Sequence, residues 1–90
     1  MTDLEQAKFI SIGFGSIVNA SKISAVVSPE SAPVKRLIAE SRQRGTLIDA
    51  TYGRKTRSVV VMESGQLVLS LITAETIAQR LNQRNGVYEE

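Results

Sequence analysis

The first third of the chain contains two segments with the residue pattern of strands. Phe9–Phe14 alternates apolar residues with serine and glycine, and a period of two is typical of a strand with one buried face. We expect this strand to end at Gly15, with the glycines of the Gly13–Gly15 segment forming a turn between strands. A polar connection that ends at Lys22 leads to the second predicted strand, Ile23–Val27.

The following segment predicts a helix that runs to about Arg44. Ser28–Pro33 contains hydroxyls that can cap a helix and prolines that are tolerated in its first turn. Gly45 supplies the left-handed residue with which many helices end. Three apolar residues share one face of this helix and are expected to point into the core. They are Val34, Leu37 and Ile38.

The second half of the chain predicts three more strands and a closing helix. The strands are Thr46–Thr51, Ser58–Met62 and Leu67–Ile72. Gly65 permits a tight turn between the last two strands, which form a hairpin. The closing helix begins at Thr73 or Thr76 and stops at Asn85, which a glycine follows.

The strands of this hairpin are almost continuously apolar, so both faces of the hairpin should be covered. One small helix cannot cover both faces, which indicates that these strands contribute to a subunit interface. The order of elements predicts an α+β fold, a small single domain with a mostly antiparallel sheet and two helices. We expect the domain to span residues 1–90, with order over about residues 8–85 and frayed termini.

The residue types that are missing exclude much of enzyme chemistry. The 90 residues contain no histidine, cysteine or tryptophan. Imidazole bases, thiolate nucleophiles and the usual nitrogen and sulfur ligands of zinc are therefore absent. Asp49 lies among apolar residues, either as a catalytic or metal carboxylate or as a structural acid paired with an arginine or backbone amides. Because no second acid stands close to it in sequence, we expect no enzyme activity, no cofactor and no metal site.

The chain also lacks the sequence features of membrane proteins. No stretch reaches the roughly 18 uninterrupted apolar residues that a membrane span needs. The first eight residues include two acids and no apolar segment of the kind found in secretory signals. We expect a soluble, cytoplasmic protein that makes no membrane contact.

The formal net charge of +2 conceals an uneven distribution of charge. From Lys22 to Arg57 there are eight cations and three acids, a net charge of +5. The two flanks together carry three cations and six acids, a net charge of −3. The basic middle of the chain is therefore where an anionic partner would bind.

Within this basic middle, Tyr52–Arg57 is the strongest candidate site, a glycine-containing loop with three cations between two predicted strands. An arginine fork matches a phosphate group, a lysine supplies a compact charge, and Gly53 permits close backbone approach. The alternative interpretation is a solvated loop that serves solubility. Tyr52 is the only aromatic residue among these cations, so the stacking platforms of single-strand binders are missing and duplex backbone contact is favoured.

Two stretches of the chain resemble the RemA family, the bacterial extracellular-matrix regulatory proteins. The first comprises Phe9–Val18 and Ser28–Arg36, and the second is Leu47-Ile-Asp-Ala-Thr-Tyr-Gly-Arg-Lys-Thr-Arg57. The resemblance runs without evident gaps from about Lys8 to Leu81. It implies a DNA-binding transcriptional regulator of biofilm-matrix and osmoprotection genes. Such a protein would work as a ring-shaped, octamer-like homo-oligomer with a LytTR-like subunit.

The resemblance also implies which residues contact double-stranded DNA. These are Lys22, Arg54 and Lys55, and Arg57 belongs to the same loop. Lysine replaces the family's arginine at Lys22 and Lys55, which keeps the charge but loses the bidentate fork. A ring would repeat these cations at regular intervals and bind duplex DNA by avidity. Two other function classes stay open, an oligomeric scaffold for other proteins and an RNA-binding protein.

Overall fold

A four-stranded sheet forms the middle layer of the fold, with helix or strand packed on each of its faces. The computed structural model describes residues 8–85. The elements in chain order are β1 (Phe9–Gly13), β2 (Ser16–Asn19), a short 3-10 turn (Ala20–Lys22), β3 (Ile23–Val27), α1 (Ala32–Arg44), β4 (Leu47–Asp49), β5 (Ser58–Met62), β6 (Leu67–Ser70) and α2 (Ala74–Asn85).

The strand order of the central sheet is β3-β5-β6-β4. β5 pairs antiparallel with both β3 and β6, whereas β4 pairs parallel with β6. β1 and β2 form a separate antiparallel hairpin that packs on one face of this sheet. The predicted α+β class is confirmed, and most strand pairs are antiparallel as expected.

Three details of the predicted strands are wrong, of which the smallest is that the strand predicted over Leu67–Ile72 ends at Ser70. β2 was expected to be a polar connection, because its two apolar residues, Ile17 and Val18, are adjacent and do not alternate. The strand predicted over Thr46–Thr51 is shorter, ending at Asp49, and Thr51 belongs to the turn that follows. The differences at β2 and β4 matter for function because they decide where the loops at one end of the sheet lie.

The apolar hairpin of β5 and β6 is buried on both faces, as predicted. On one face Val59 and Leu69 pack with residues of α1. On the other face Val60 and Val68 pack with residues of β1 and with Ile77 of α2, which is fully buried. The apolar character of this hairpin is thus explained within one chain, and does not by itself indicate a subunit interface.

Helix α1 has the predicted bounds. The Ser31 hydroxyl accepts a hydrogen bond from the Val34 amide at 3.3 Å, and Gly45 ends the helix in the left-handed conformation. Val34 and Ile38 pack against the sheet, but Leu37 is 47% exposed, so its expected place in the core is wrong. Within the described residues, no helix is long and apolar enough to cross a membrane.

Candidate functional site: a basic loop beside an aromatic turn

Three of the predicted DNA-binding residues, Arg54, Lys55 and Arg57, lie together in the connection between β4 and β5. We call residues 50–57 the basic loop. Arg54, Lys55 and Arg57 are all exposed to solvent. Among residues 8–83 the one ion pair joins Arg44 to Glu40, at 3.8 Å on the surface of α1. The cations of the basic loop are therefore not neutralised by a carboxylate of the described chain.

The start of the basic loop is held by Asp49 and Thr51. Asp49 Oδ1 accepts hydrogen bonds from the Thr51 hydroxyl and from the Thr51 amide, at 2.5 and 3.0 Å. The hydrogen bond from the Thr51 hydroxyl is the largest cause of a lowered pKa of Asp49, and the bond from the Thr51 amide lowers this pKa as well. The nearby charge of Arg42 also lowers it. Of the two interpretations of this acid, the structural one is supported, because its carboxylate is bonded to a backbone amide and a hydroxyl that shape the loop.

The end of the basic loop is fixed to the neighbouring strand. The Arg57 amide donates to the Ser70 carbonyl at 2.8 Å. One residue later, the fully buried hydroxyl of Ser58 donates to the Ile72 carbonyl at 2.6 Å. Because both ends of the loop are anchored by buried groups, its exposed cations project from a defined backbone.

A turn from the other end of the sequence lies against the basic loop. The Ser70 hydroxyl donates to the Ile12 carbonyl at 2.9 Å and accepts from the Ile72 amide at 3.0 Å. These bonds place the β1–β2 turn beside the basic loop. Together they form a cleft of about 350 Å³. Its lining residues are Gly13, Phe14, Arg54, Lys55, Arg57, Leu71 and Ile72.

Two exposed aromatic residues meet at this cleft. The rings of Phe14 and Tyr52 have their centroids 5.8 Å apart and are nearly perpendicular, at 70°. The Arg54 guanidinium lies 4.8 Å from the centroid of the Phe14 ring, within the range of a cation–π interaction. Sequence analysis identified Tyr52 but not Phe14, because the two residues are 38 positions apart. The shared signal is an aromatic residue directly before a glycine, in Phe14-Gly15 and Tyr52-Gly53.

Lys22 does not join this cluster within one chain. It ends the 3-10 turn before β3, and its carbonyl accepts from the Glu63 amide at 2.8 Å. Ile23 pairs with Met62 at one end of β5, whereas the basic loop enters β5 at Ser58. Ser58 and Met62 are four residue steps apart along β5, a distance of roughly 13 Å. The exposed Lys22 also shares its surface cleft with Glu63, so its surroundings are less positive than those of the basic loop.

The other candidate residues of the sequence are less suited to form a binding site. The cations of α1 are exposed on the helix layer, and one of them is paired with an acid of the same helix. They are Lys35, Arg36, Arg42 and Arg44. Over the part of the chain that the structure describes, no group of three or more acidic residues is placed to hold a metal ion. The arrangement that remains is a group of exposed cations on the basic loop, Arg54, Lys55 and Arg57.

Similar proteins place the chain in a family. The family model of extracellular matrix regulatory protein A-like proteins, RemA-like, matches residues 9–81. A "Putative regulatory protein" of Carboxydothermus hydrogenoformans is 55% identical over 84 residues, covering 93% of this chain and 97% of the relative. A protein of the same name from Alkaliphilus metalliredigens is 60% identical over 79 residues, covering 88% of this chain and 85% of the relative. These matches confirm the predicted resemblance, and the chain belongs to the RemA-like family.

Proposed function

We propose that the protein is a regulator of transcription that binds duplex DNA through the basic loop. The observation that carries this proposal is the group of Arg54, Lys55 and Arg57, exposed on an anchored loop and without carboxylate partners in residues 8–83. The regulatory part of the proposal also draws on family membership and on the names of the relatives. We do not propose an enzyme, because Asp49, the described carboxylate whose pKa is lowered, accepts a hydrogen bond from the Thr51 amide that shapes the basic loop.

Phosphate is the chemical group that suits this surface best. Two guanidinium groups and one ammonium group can each donate to phosphate oxygens along a strand. The planar forks of Arg54 and Arg57 give directional contacts, and Lys55 adds a point charge. Such contacts carry affinity rather than sequence information, so selection of sites would depend partly on the deformability of the DNA.

We extend the proposal to a ring-shaped homo-oligomer with a LytTR-like subunit. Three or four cations bind DNA weakly, whereas repetition around a closed ring multiplies the contacts. The outer face of the β1–β2 hairpin favours association, because Phe9 is 52% exposed and Ile17 is 60% exposed. Exposed apolar groups of this kind are buried when subunits assemble. Assembly would also determine whether Lys22 of one subunit approaches the basic loop of another.

The proposed targets are the genes of the extracellular matrix, with the protein acting in the cytoplasm. Recovery of DNA bound to the protein in its own cell should enrich defined promoters. Arg54→Ala in the same experiment should lose that enrichment. Uniform recovery from the whole genome in both cases would contradict the regulatory proposal.

Binding in solution provides the direct test. Affinity for a labelled B-form duplex is measured by fluorescence anisotropy over a series of salt concentrations. Removal of one phosphate contact by Arg54→Ala or Lys55→Ala should make the slope of log K against log salt shallower by about 0.9. Lys35→Ala on α1 is the matched control, with the same loss of charge on another layer of the fold. Equal slopes for the wild type and both loop variants would exclude the basic loop as the contact.

The same assay separates the competing function classes. Tighter binding to single strands or to A-form RNA than to B-form DNA would favour an RNA-binding protein. No binding to any nucleic acid at low salt would favour an oligomeric scaffold. Binding to duplex DNA that depends on Arg54 is the result expected here.

A further inference from the structure

Two turns of the same kind lie side by side at the end of the sheet. Phe14 and Gly15 connect β1 to β2 with φ angles of 47° and 79°. Tyr52 and Gly53 have φ angles of 55° and 80°, and the Arg54 amide donates to the Thr51 carbonyl at 3.0 Å. Two successive positive φ angles are the pattern of a type I′ turn, whose first central position favours asparagine, aspartate or glycine. In both turns this position is occupied by an aromatic residue.

An aromatic residue at this position is costly for the backbone. In a left-handed conformation the Cβ atom lies too close to the following carbonyl oxygen, which is unfavourable for any residue other than glycine. Burial does not offset the cost here, because Phe14 is 58% exposed and Tyr52 is 64% exposed. Phe14 and Tyr52 are also the non-glycine residues with positive φ in the described chain. Such strain is concentrated at functional sites in proteins, so the two side chains call for a role other than core packing.

The contacts of Phe14 and Tyr52 indicate that role. The Tyr52 hydroxyl donates to the Phe14 carbonyl at 3.4 Å and lies 3.5 Å from the Ser16 hydroxyl. The edge-to-face contact of the two rings adds a second link between the turns. Tyr52 therefore ties the basic loop to the turn that carries Phe14.

The Phe14 ring in turn holds the side chain of Arg54. The Arg54 guanidinium lies over the Phe14 ring, 4.8 Å from the ring centroid. A guanidinium that contacts a ring on one side keeps the N–H groups that point away from the ring available for a phosphate. An exposed arginine without such support loses rotamer entropy when it is fixed by a ligand. A ring that restricts the side chain beforehand reduces this cost.

We propose that Phe14 is a positioning residue for Arg54, supported by Tyr52, and that this aromatic pair orients the arginine fork toward a DNA phosphate. The inference rests on the proposed function and adds to it Phe14, a residue outside the basic loop. It makes the β1–β2 turn part of the DNA-binding surface although the turn itself contributes no charge.

A double-mutant cycle on DNA binding tests this coupling. Duplex affinity is measured for the wild type, Phe14→Leu, Arg54→Ala and the double variant. Arg54→Ala should lower affinity at least about tenfold when Phe14 is present, and by a clearly smaller factor when leucine replaces it. Phe14→Tyr keeps a ring under the guanidinium and should preserve the wild-type affinity. Additive effects, within about a factor of two, would overturn the positioning role.

A second variant separates positioning from folding. Phe14→Asn places a favoured residue before Gly15 in the turn, so its midpoint of thermal unfolding should equal or exceed that of the wild type. Its DNA affinity should nevertheless fall as far as that of Phe14→Leu. A fall in the unfolding midpoint together with wild-type affinity would show that Phe14 serves only stability, and would overturn the proposal.

The contact between Arg54 and the Phe14 ring is observable without DNA. In nuclear magnetic resonance spectra, the Arg54 side-chain protons should be shifted upfield by the Phe14 ring in the wild type and in Phe14→Tyr, and not in Phe14→Leu. Absence of that shift in the wild type would overturn the proposal. A wild-type protein that binds no duplex would overturn the proposed function and this inference together. Arg54-dependent binding with an additive cycle would overturn this inference alone.

Discussion

The buried hydroxyl of Ser70 donates a hydrogen bond of 2.9 Å to the backbone carbonyl of Ile12, across 58 positions of sequence. The same oxygen accepts from the Ile72 amide. Ser70 is fully buried and pairs across the hairpin with Ser58, which is equally buried. This polar group within an apolar sheet joins the β1–β2 hairpin to the strand beside the basic loop, and it sets the relative position of the two turns.

Removal of the Ser70 hydroxyl should therefore lower the free energy of unfolding, although the hydroxyl is a small group. Ser70→Ala leaves the Ile12 carbonyl and the Ile72 amide without this partner, and an unsatisfied buried group costs about 1–3 kcal/mol. Urea unfolding at neutral pH measures the change in the free energy of unfolding. Ser24→Ala, at an exposed position of β3, is the control and should change it by less than about 0.5 kcal/mol. Equal stabilities of the two variants would contradict the role of Ser70.

The pH dependence of stability should report on Asp49. Because the Thr51 hydrogen bonds lower the pKa of Asp49 in the native protein, its ionised form stabilises the fold. This stabilisation is complete above the unfolded pKa of about 3.9, and is lost as the pH falls through the lower native pKa. Asp49→Asn keeps an acceptor oxygen but removes the charge, so it should be less stable than the wild type at pH 7.

Thermal unfolding between pH 7 and pH 3 provides the measurement for Asp49. The difference in unfolding midpoint between the wild type and Asp49→Asn should shrink as the pH falls below 4. Glu30→Gln, which removes a charge from an exposed side chain before α1, serves as the control for net charge. A difference that stays constant over this range would show that the Asp49 charge does not stabilise the loop.

Lys22 and Arg54 should act on DNA independently of each other. Lys22 lies next to the end of β5 at Met62 and Arg54 lies in the loop that enters β5 at Ser58, and these two ends of the strand are roughly 13 Å apart. Sites at such separation without shared partners usually have additive effects. The free-energy changes of Lys22→Ala and Arg54→Ala on duplex binding should sum to that of the double variant within about 0.5 kcal/mol.

Strong coupling between Lys22 and Arg54 would contradict independent action within a subunit. It would indicate instead that assembly brings Lys22 of one copy to the basic loop of the next. Repetition of the cycle on a variant that does not assemble distinguishes these two cases.

Such a variant should result from a charge on the outer face of the β1–β2 hairpin. Ile17 is 60% exposed beside the partly exposed Phe9, so Ile17→Lys should leave the fold intact while it prevents burial of this face between subunits. Sedimentation velocity at micromolar concentration should show a larger assembly for the wild type and a smaller one for Ile17→Lys. Gln43→Lys adds the same charge at an exposed position of α1 and is the control. A monomeric wild type would contradict the ring.

Loss of assembly should also weaken DNA binding through lost avidity. Repeated sites linked in one body bind about 100- to 10,000-fold more tightly than a single site. Ile17→Lys adds a positive charge, which by itself would strengthen contact with DNA, so a weaker affinity identifies the loss of repetition as the cause. Unchanged affinity of a monomeric Ile17→Lys variant would show that one subunit suffices.

Local patterns in the sequence determined those helices and strands whose caps, turns and apolar runs lie within a few residues of each other. The bounds of α1 follow from a capping serine and a terminal glycine, and the β5–β6 hairpin follows from two apolar runs around Gly65. The cations of the basic loop were also identified from the sequence, since a glycine-containing segment between two strands must be a loop. These features need no knowledge of distant residues, because capping, turn formation and apolar runs are short-range properties.

Tertiary structure alone decided which of these elements meet. β2 is a strand because it pairs with β1 and covers the sheet, although its own pattern does not alternate. Lys22 is distant from the basic loop because β5 separates them, and Phe14 joins that loop through the Ser70 and Tyr52 hydrogen bonds. The sequence by itself determined the charge and the chemistry of the candidate site. Its arrangement was decided by pairing and packing between residues far apart in the chain, which local propensity does not encode.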